Sequence, residues 1–94
     1  MTVAGHLIII PTYNESDNIE KLLDLISRTD PAAHVLIVDD NSPDRTYEIV
    51  ERLMQTSYPG RLFLLKRAGK MGLGTAYIAG FKWALARDYD YIFE

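Results

Sequence analysis

The sequence predicts one domain of three layers, α/β/α, built around a mainly parallel β-sheet. Four short apolar segments suited to buried strands alternate with three segments suited to helices, and residues that favour turns separate them. This alternation is typical of α/β folds with right-handed crossovers between parallel strands. A length of 94 residues allows one domain with a modest core, so no second domain is expected.

The first strand and helix are predicted near the start of the chain. Residues Leu7–Ile10 are all apolar and mostly β-branched, which favours a strand buried on both faces, and Pro11 ends it. An amphipathic helix follows, whose apolar stripe consists of Ile19, Leu22, Leu23 and Ile26. Ser16 or Asp17 is the expected N-cap of this helix.

The apolar strand pattern recurs three times further along the chain. Val35–Val38 is the second predicted strand, and a polar turn leads from it into a helix from about Arg45 to Met54. Leu62–Leu65 is the third strand, and Tyr89–Phe93 is the fourth. The inward face of the intervening third helix is expected to carry Tyr77, Gly80, Phe81 and Ala84.

Composition excludes several classes of function. A net charge of −3 gives no general attraction to nucleic acid, which is not an expected partner. The absence of cysteine excludes disulfides and thiolate catalysis and fits a reducing, cytoplasmic compartment. The start of the chain does not resemble a signal peptide, and no apolar run approaches the ~20 residues that span a bilayer, so no transmembrane segment is predicted.

Function is expected in the loops after the strands, because ligands of open α/β sheets bind beyond the carboxyl ends of the strands. The first loop offers the ring and hydroxyl of Tyr13 and the carboxylate of Glu15, which can accept hydrogen bonds from a base or ribose. Glu15 equally suits a helix start, where the helix dipole favours negative charge.

The second loop begins with two adjacent carboxylates, Asp39 and Asp40, which must point to opposite sides of the strand. One can accept hydrogen bonds from guanine or uracil N–H groups while the other braces the neighbouring loop. Helix capping is the alternative role. Asn41, Ser42 and Asp44 already suffice for capping, which favours a ligand role for at least one of the two carboxylates.

The third loop, Lys66–Thr75, is basic and contains glycine, which fits either a phosphate-binding loop or a solvated turn. It has no P-loop spacing. The first strand is followed by Pro-Thr-Tyr-Asn-Glu, where a dinucleotide-binding protein needs Gly-x-Gly-x-x-Gly. A nicotinamide-binding oxidoreductase is therefore the disfavoured alternative, beside a non-catalytic nucleotide-binding module.

Three motifs together resemble glycosyltransferase family 2, of GT-A fold, and within it the dolichyl- and polyprenyl-phosphate mannosyltransferases. The motifs are Ile8–Glu15, Val38–Thr46 and Gly72–Tyr77. The resemblance implies a Rossmann-like nucleotide-diphospho-sugar transferase, of which residues 1–94 are the amino-terminal, nucleotide-binding portion of a single domain. One departure is Arg45, which stands where many relatives carry glycine.

The resemblance also implies which residues surround the nucleotide sugar, with Val38 and Asp40 as the pair at the base and Asp39 as a structural neighbour. The expected substrate-binding residues are Pro11, Tyr13, Glu15, Val38 and Asp40. The family's metal-binding Asp-x-Asp would follow the fourth strand, beyond Glu94. No catalytic or metal-binding residue is therefore expected within this chain, which by itself is predicted to be inactive.

The implied activity is transfer of mannose, with inversion, from GDP-mannose to a dolichyl or polyprenyl phosphate at the cytoplasmic membrane face. Mg²⁺ or Mn²⁺ is the expected cofactor of the longer enzyme. A UDP-sugar donor is the alternative within the family. Exposed apolar surface on the first and fourth strands is predicted to promote self-association.

Overall fold

The computed structural model describes residues 5–69 and 72–93. Seven elements alternate along these residues: β1 (His6–Thr12), α1 (Ile19–Thr29), β2 (His34–Asp39), α2 (Thr46–Thr56), β3 (Leu62–Lys66), α3 (Leu73–Leu85) and β4 (Tyr91–Phe93). The strands form one sheet in the order β3-β2-β1-β4, and every pair is parallel. The predicted α/β class and parallel sheet are confirmed.

The sheet is covered on both faces, which explains why its strands are uniformly apolar. Along β2, Val35 and Ile37 face the core beneath α1 and α2, whereas Leu36 and Val38 face the core beneath α3. Side chains alternate between faces along a strand, so a strand between two helical layers needs apolar residues at every position. The structure therefore has the three layers that the sequence predicts.

Helix α3 lies unusually close to the sheet at Gly80. A Cβ atom placed on this residue would lie 2.7 Å from Cγ2 of Ile9 on β1, far inside van der Waals contact. Gly80 and Ala84 are buried, as predicted for the inward face, and Tyr77 and Phe81 pack partly buried against the same core. Small residues on this face allow the close approach of helix and strand.

The start of α1 differs from the prediction. Its N-cap is Asn18, without a side-chain capping hydrogen bond, and neither Ser16 nor Asp17 fills that position. The N–H of Ser16 instead donates to Asp44 in another loop. The segment where a local cap was expected is thus held by a tertiary contact.

The fourth strand is shorter than predicted, beginning at Tyr91 and not at Tyr89. The N–H of Tyr89 bonds within a turn to Arg87, and pairing with β1 begins only at Tyr91. Tyr91 and Phe93 are exposed on this edge strand, as expected, but β1 lies between β2 and β4 with its apolar residues buried or half-buried. β4 covers the edge of β1 only at His6–Ile8, and self-association of the chain stays a prediction. None of the helices in the described part of the chain is long and apolar enough to cross a membrane.

Candidate functional site

The loops after β1 and β2 meet at the carboxyl edge of the sheet, because the two strands are parallel neighbours with Thr12 opposite Asp39. On the α3 side they border a cleft of about 120 Å³. It is lined by Pro11, Thr12, Tyr13, Asp40, Gly72, Leu73 and Ala76. We call this the α3-side cleft. The strand order changes direction at β1, because β2 and β3 are added on one side of it and β4 on the other. Open α/β sheets bind their ligands at such a switch point.

A second cleft, of about 190 Å³, lies on the opposite face of β1. We call it the α1-side cleft, and it is lined by Ile10, Pro11, Thr12, Glu15, Asn18, Ile19 and Leu22. The structure therefore divides the predicted substrate-binding residues. Tyr13 and Asp40 share the α3-side cleft, Glu15 lines the α1-side cleft, and Pro11 borders both.

Val38 differs from the other predicted site residues because its side chain is fully buried in the core beneath α3. The same core contains Ala76, a residue that also lines the α3-side cleft. Val38 therefore belongs to the core that adjoins this cleft at Ala76. A direct contact between Val38 and a nucleotide remains a prediction.

Asp39 is a completely buried carboxylate that joins the two loops. Its Oδ1 accepts hydrogen bonds from the hydroxyls of Thr12 and Ser42, both at 2.7 Å, and its Oδ2 accepts one from the N–H of Ser42 at 2.9 Å. Burial of a carboxylate requires such donors. Asp39 therefore braces the neighbouring loop, which is the structural role expected for one of the two carboxylates.

Asp40 points to the opposite side of the strand and forms a bidentate ion pair with Arg67. The Nε–Oδ1 and Nη2–Oδ2 distances are 2.7 and 2.9 Å, and each side chain is 9% exposed. The hydrogen bond to Asp40 raises the pKa of Arg67, as expected for a charge-assisted pair. Arg67 also donates to the hydroxyl of Thr75 on α3. The pair thus connects the loops after β2 and β3 with the first turn of α3, beside the α3-side cleft.

The sequence did not identify Arg67 as the partner of Asp40. The register of β2 and β3 places Asp39 opposite Lys66, so the next residues of the two strands, Asp40 and Arg67, lie side by side. The sequence signal for this pair was a charged residue directly after each of the two strands. It became usable only once β2 and β3 were known to be neighbours.

The third loop was expected either to bind phosphate or to form a solvated turn. Lys66 Nζ lies 3.7 Å from the centre of the Tyr47 ring, and Arg67 is paired with Asp40. Gly72 has a φ of 97°, the left-handed conformation for which glycine was expected. Lys70 and Met71 lie outside the described residues. Lys66 and Arg67 thus bind protein groups, which favours a structural role for these two cations.

Asp44 stabilises the start of α2, as expected from its capping chemistry. It accepts hydrogen bonds from the N–H and hydroxyl of Thr46, and Arg45 between them is the N-cap by backbone position. Desolvation raises the pKa of Asp44, but hydrogen bonds from Thr46 and Ser16 outweigh this effect and lower the pKa to about 2. Asp44 is therefore ionised at neutral pH.

Arg45 occupies a left-handed backbone conformation, with φ 61°. An L-residue there costs about 1 kcal/mol relative to glycine, and the larger entropy of an unfolded glycine offsets part of this. We expect Arg45→Gly to stabilise the fold by about 0.5 kcal/mol. Urea unfolding would show a higher midpoint at an unchanged slope, with Arg45→Ala as the control that keeps the strain. A lower midpoint for Arg45→Gly than for Arg45→Ala would contradict this account.

Among residues 5–69 and 72–93, no group of at least three histidine, aspartate or glutamate side chains could hold a metal ion. Asp39 and Asp40, the adjacent carboxylates at the site, already bind Thr12, Ser42 and Arg67. The described residues therefore do not fit a divalent metal.

Comparisons with known proteins identify the family of this chain. Residues 7–93 match the model of glycosyl transferase family 2. Polyprenol monophosphomannose synthase of Mycolicibacterium smegmatis is 42% identical over 88 residues, which are 94% of this chain and 33% of that protein. Undecaprenyl-phosphate mannosyltransferase of Micrococcus luteus is also 42% identical over 88 residues, 94% of this chain and 35% of that protein.

A solved structure is similar as well. The mannosyltransferase PcManGT from Pyrobaculum calidifontis, in complex with GDP-Man and Mn²⁺, gives a TM-score of 0.77 at 30% identity. The match covers 89% of this chain and 25% of that chain. The chain spans about a third of the length of the curated relatives that it matches.

Proposed function

This chain belongs to glycosyltransferase family 2, as its motifs predicted, and we propose that it is the nucleotide-binding portion of an enzyme that transfers mannose from GDP-mannose to a polyprenyl phosphate. The observation that carries the proposal is the α3-side cleft, where Tyr13 and Asp40 meet at the carboxyl edge of the sheet. The names of the two 42% identical relatives support the choice of mannose and of a polyprenyl phosphate acceptor.

Within this proposal Asp40 accepts hydrogen bonds from the base, and Tyr13 supplies a ring against which the base packs. Asp40 is better placed than Asp39, because Asp39 is completely buried and Asp40 lines the cleft. Arg67 orients the Asp40 carboxylate at the cleft through two hydrogen bonds. Pro11 and Glu15 would contact the nucleotide from the other side of the same loop.

The longer enzyme would use Mg²⁺ or Mn²⁺, in line with the Mn²⁺ of the structural relative. Such an ion stabilises the negative charge of a departing diphosphate. Because the described residues do not fit a metal, residues other than these would hold it. The acceptor is a membrane lipid, so the enzyme would work at a membrane surface, which we propose to be the cytoplasmic face.

Calorimetric titration of this chain with GDP, UDP and NAD tests the proposal. We expect GDP to bind, and we expect Tyr13→Ala to weaken binding about tenfold, the loss typical of a base–aromatic contact. Tyr13→Phe should bind nearly as well, since it keeps the ring. Tyr91→Ala is the control, because Tyr91 is exposed on β4 beside His6, at the opposite end of β1.

The three ligands distinguish a GDP-sugar donor from a UDP-sugar donor and from a dinucleotide. Tighter binding of UDP than of GDP would contradict GDP-mannose as the donor and favour a UDP-sugar. Displacement of GDP by low concentrations of NAD would contradict the proposed site. No binding of any nucleotide would remove the support for a nucleotide-binding role of this chain.

A further inference from the structure

Three consecutive backbone amides in the loop between β1 and α1 are held by side chains of the loop between β2 and α2 and of the first residue of α2. The amides of residues 14–16 donate, in order, to Ser42 Oγ, Thr46 Oγ1 and Asp44 Oδ2, each at 3.0 Å. The acceptors lie at every second position, 42, 44 and 46, from the second loop into the first residue of α2. We call these three hydrogen bonds the amide latch.

Two carboxylates orient the hydroxyls of the latch. Ser42 donates its proton to Asp39 Oδ1 at 2.7 Å, and Thr46 donates its proton to Asp44 Oδ1 at 2.5 Å. Because a hydroxyl has only one proton, each oxygen then presents only lone pairs to the backbone amide. Ser42 and Thr46 can therefore only accept from the backbone amides, and the Asp44 carboxylate accepts from the third amide directly.

The latched loop contains a residue that needs support. Asn14 has a φ of 58°, a left-handed conformation that persists only where surrounding contacts hold it. Its side-chain oxygen also accepts from the N–H of Asp44, at 3.3 Å. Tyr13 and Glu15 flank Asn14 and line the two clefts, so the conformation of Asn14 determines how these two side chains are presented.

We propose that Asp44 and Thr46 are positioning residues that raise the affinity for the nucleotide by holding the β1–α1 loop in its binding geometry. Neither residue lines either cleft, so they act through the loop and not on the ligand. This inference rests on the proposed nucleotide-binding function. A loop that has lost the latch must be ordered again when the nucleotide binds, and this ordering weakens binding.

The test is calorimetric titration of variants with GDP, below the temperature at which any of them unfolds. Thr46→Val keeps the shape of a fully buried side chain but removes the hydroxyl, and we expect it to weaken binding about fivefold. Thr46→Ser keeps the hydroxyl and should restore most of the affinity. Asp44→Ala should resemble Thr46→Val. Asp17→Ala removes an exposed charge from the β1–α1 loop itself and should bind GDP like the unmodified chain.

Amide hydrogen exchange, followed by NMR, gives a readout that does not depend on the nucleotide. The amides of residues 14–16 should exchange faster in Thr46→Val and Asp44→Ala, while those of the central strand β2 stay protected. If Thr46→Val does not fold, Asp44→Ala carries the test, because Asp44 is exposed.

The outcomes distinguish this inference from the proposed function. Unchanged GDP affinity in variants whose loop amides exchange faster would overturn the positioning role and leave the nucleotide site standing. Equal losses for Thr46→Ser and Thr46→Val would also overturn it, because the hydroxyl would then be irrelevant. If the unmodified chain does not bind GDP, the proposed function and the inference both fail.

Discussion

Replacing Asp39 with alanine is expected to destabilise the fold by about 3 kcal/mol, the largest effect of any substitution at the site. The side chain is completely buried and accepts three hydrogen bonds, from the hydroxyls of Thr12 and Ser42 and from the N–H of Ser42. Alanine leaves these donors without an acceptor in a space that water cannot easily enter. It also removes the connection between the loops after β1 and β2.

Urea unfolding measures this loss, with Asp88→Ala as the control for removing one negative charge from an exposed position. The control should change the free energy of unfolding by no more than about 0.5 kcal/mol. The loss in free energy of unfolding for Asp39→Asn should lie between those for Asp39→Ala and Asp88→Ala, because the asparagine amide retains one acceptor oxygen. A similar stability for Asp39→Ala and Asp88→Ala would show that Asp39 does not brace the loops.

Breaking the pair between Asp40 and Arg67 is expected to have the second-largest effect. Loss of either partner leaves a charge that is almost completely shielded from water, which in deep interiors costs about 3–5 kcal/mol. Because this pair lies near the surface of a small protein, solvent screens it in part, and we expect about 2 kcal/mol for Arg67→Ala. Removing both partners should cost less than the sum of the two single losses.

A double-mutant cycle with Asp40→Ala and Arg67→Ala measures this difference. We expect a coupling energy of about 2 kcal/mol. The ion pair between Arg52 and Glu20 is the matched control, since its 3.1 Å contact joins two helices through side chains that are more than half exposed. That pair should couple by less than about 1 kcal/mol. Equal coupling energies for the two pairs would contradict a shielded Asp40–Arg67 interaction.

The sequence alone determined the layered architecture. Uniformly apolar strands such as Val35–Val38 require burial on both faces, and a parallel sheet between helices satisfies this need. The opposite directions of Asp39 and Asp40 also followed from local geometry, because neighbouring side chains of a strand cannot share a face. These features depend on residues close together in the chain, where the pattern of side chains limits the backbone directly.

The partners of those residues were decided only by the tertiary structure. Asp40 meets Arg67 because β2 and β3 are neighbours in register, and Asp39 reaches Thr12 because β1 lies on the other side of β2. The N–H of Ser16 likewise donates to Asp44, 28 residues away, where a local helix cap was expected. Such contacts join segments that are far apart in the chain, and their geometry exists only after the strands have paired in the order β3-β2-β1-β4.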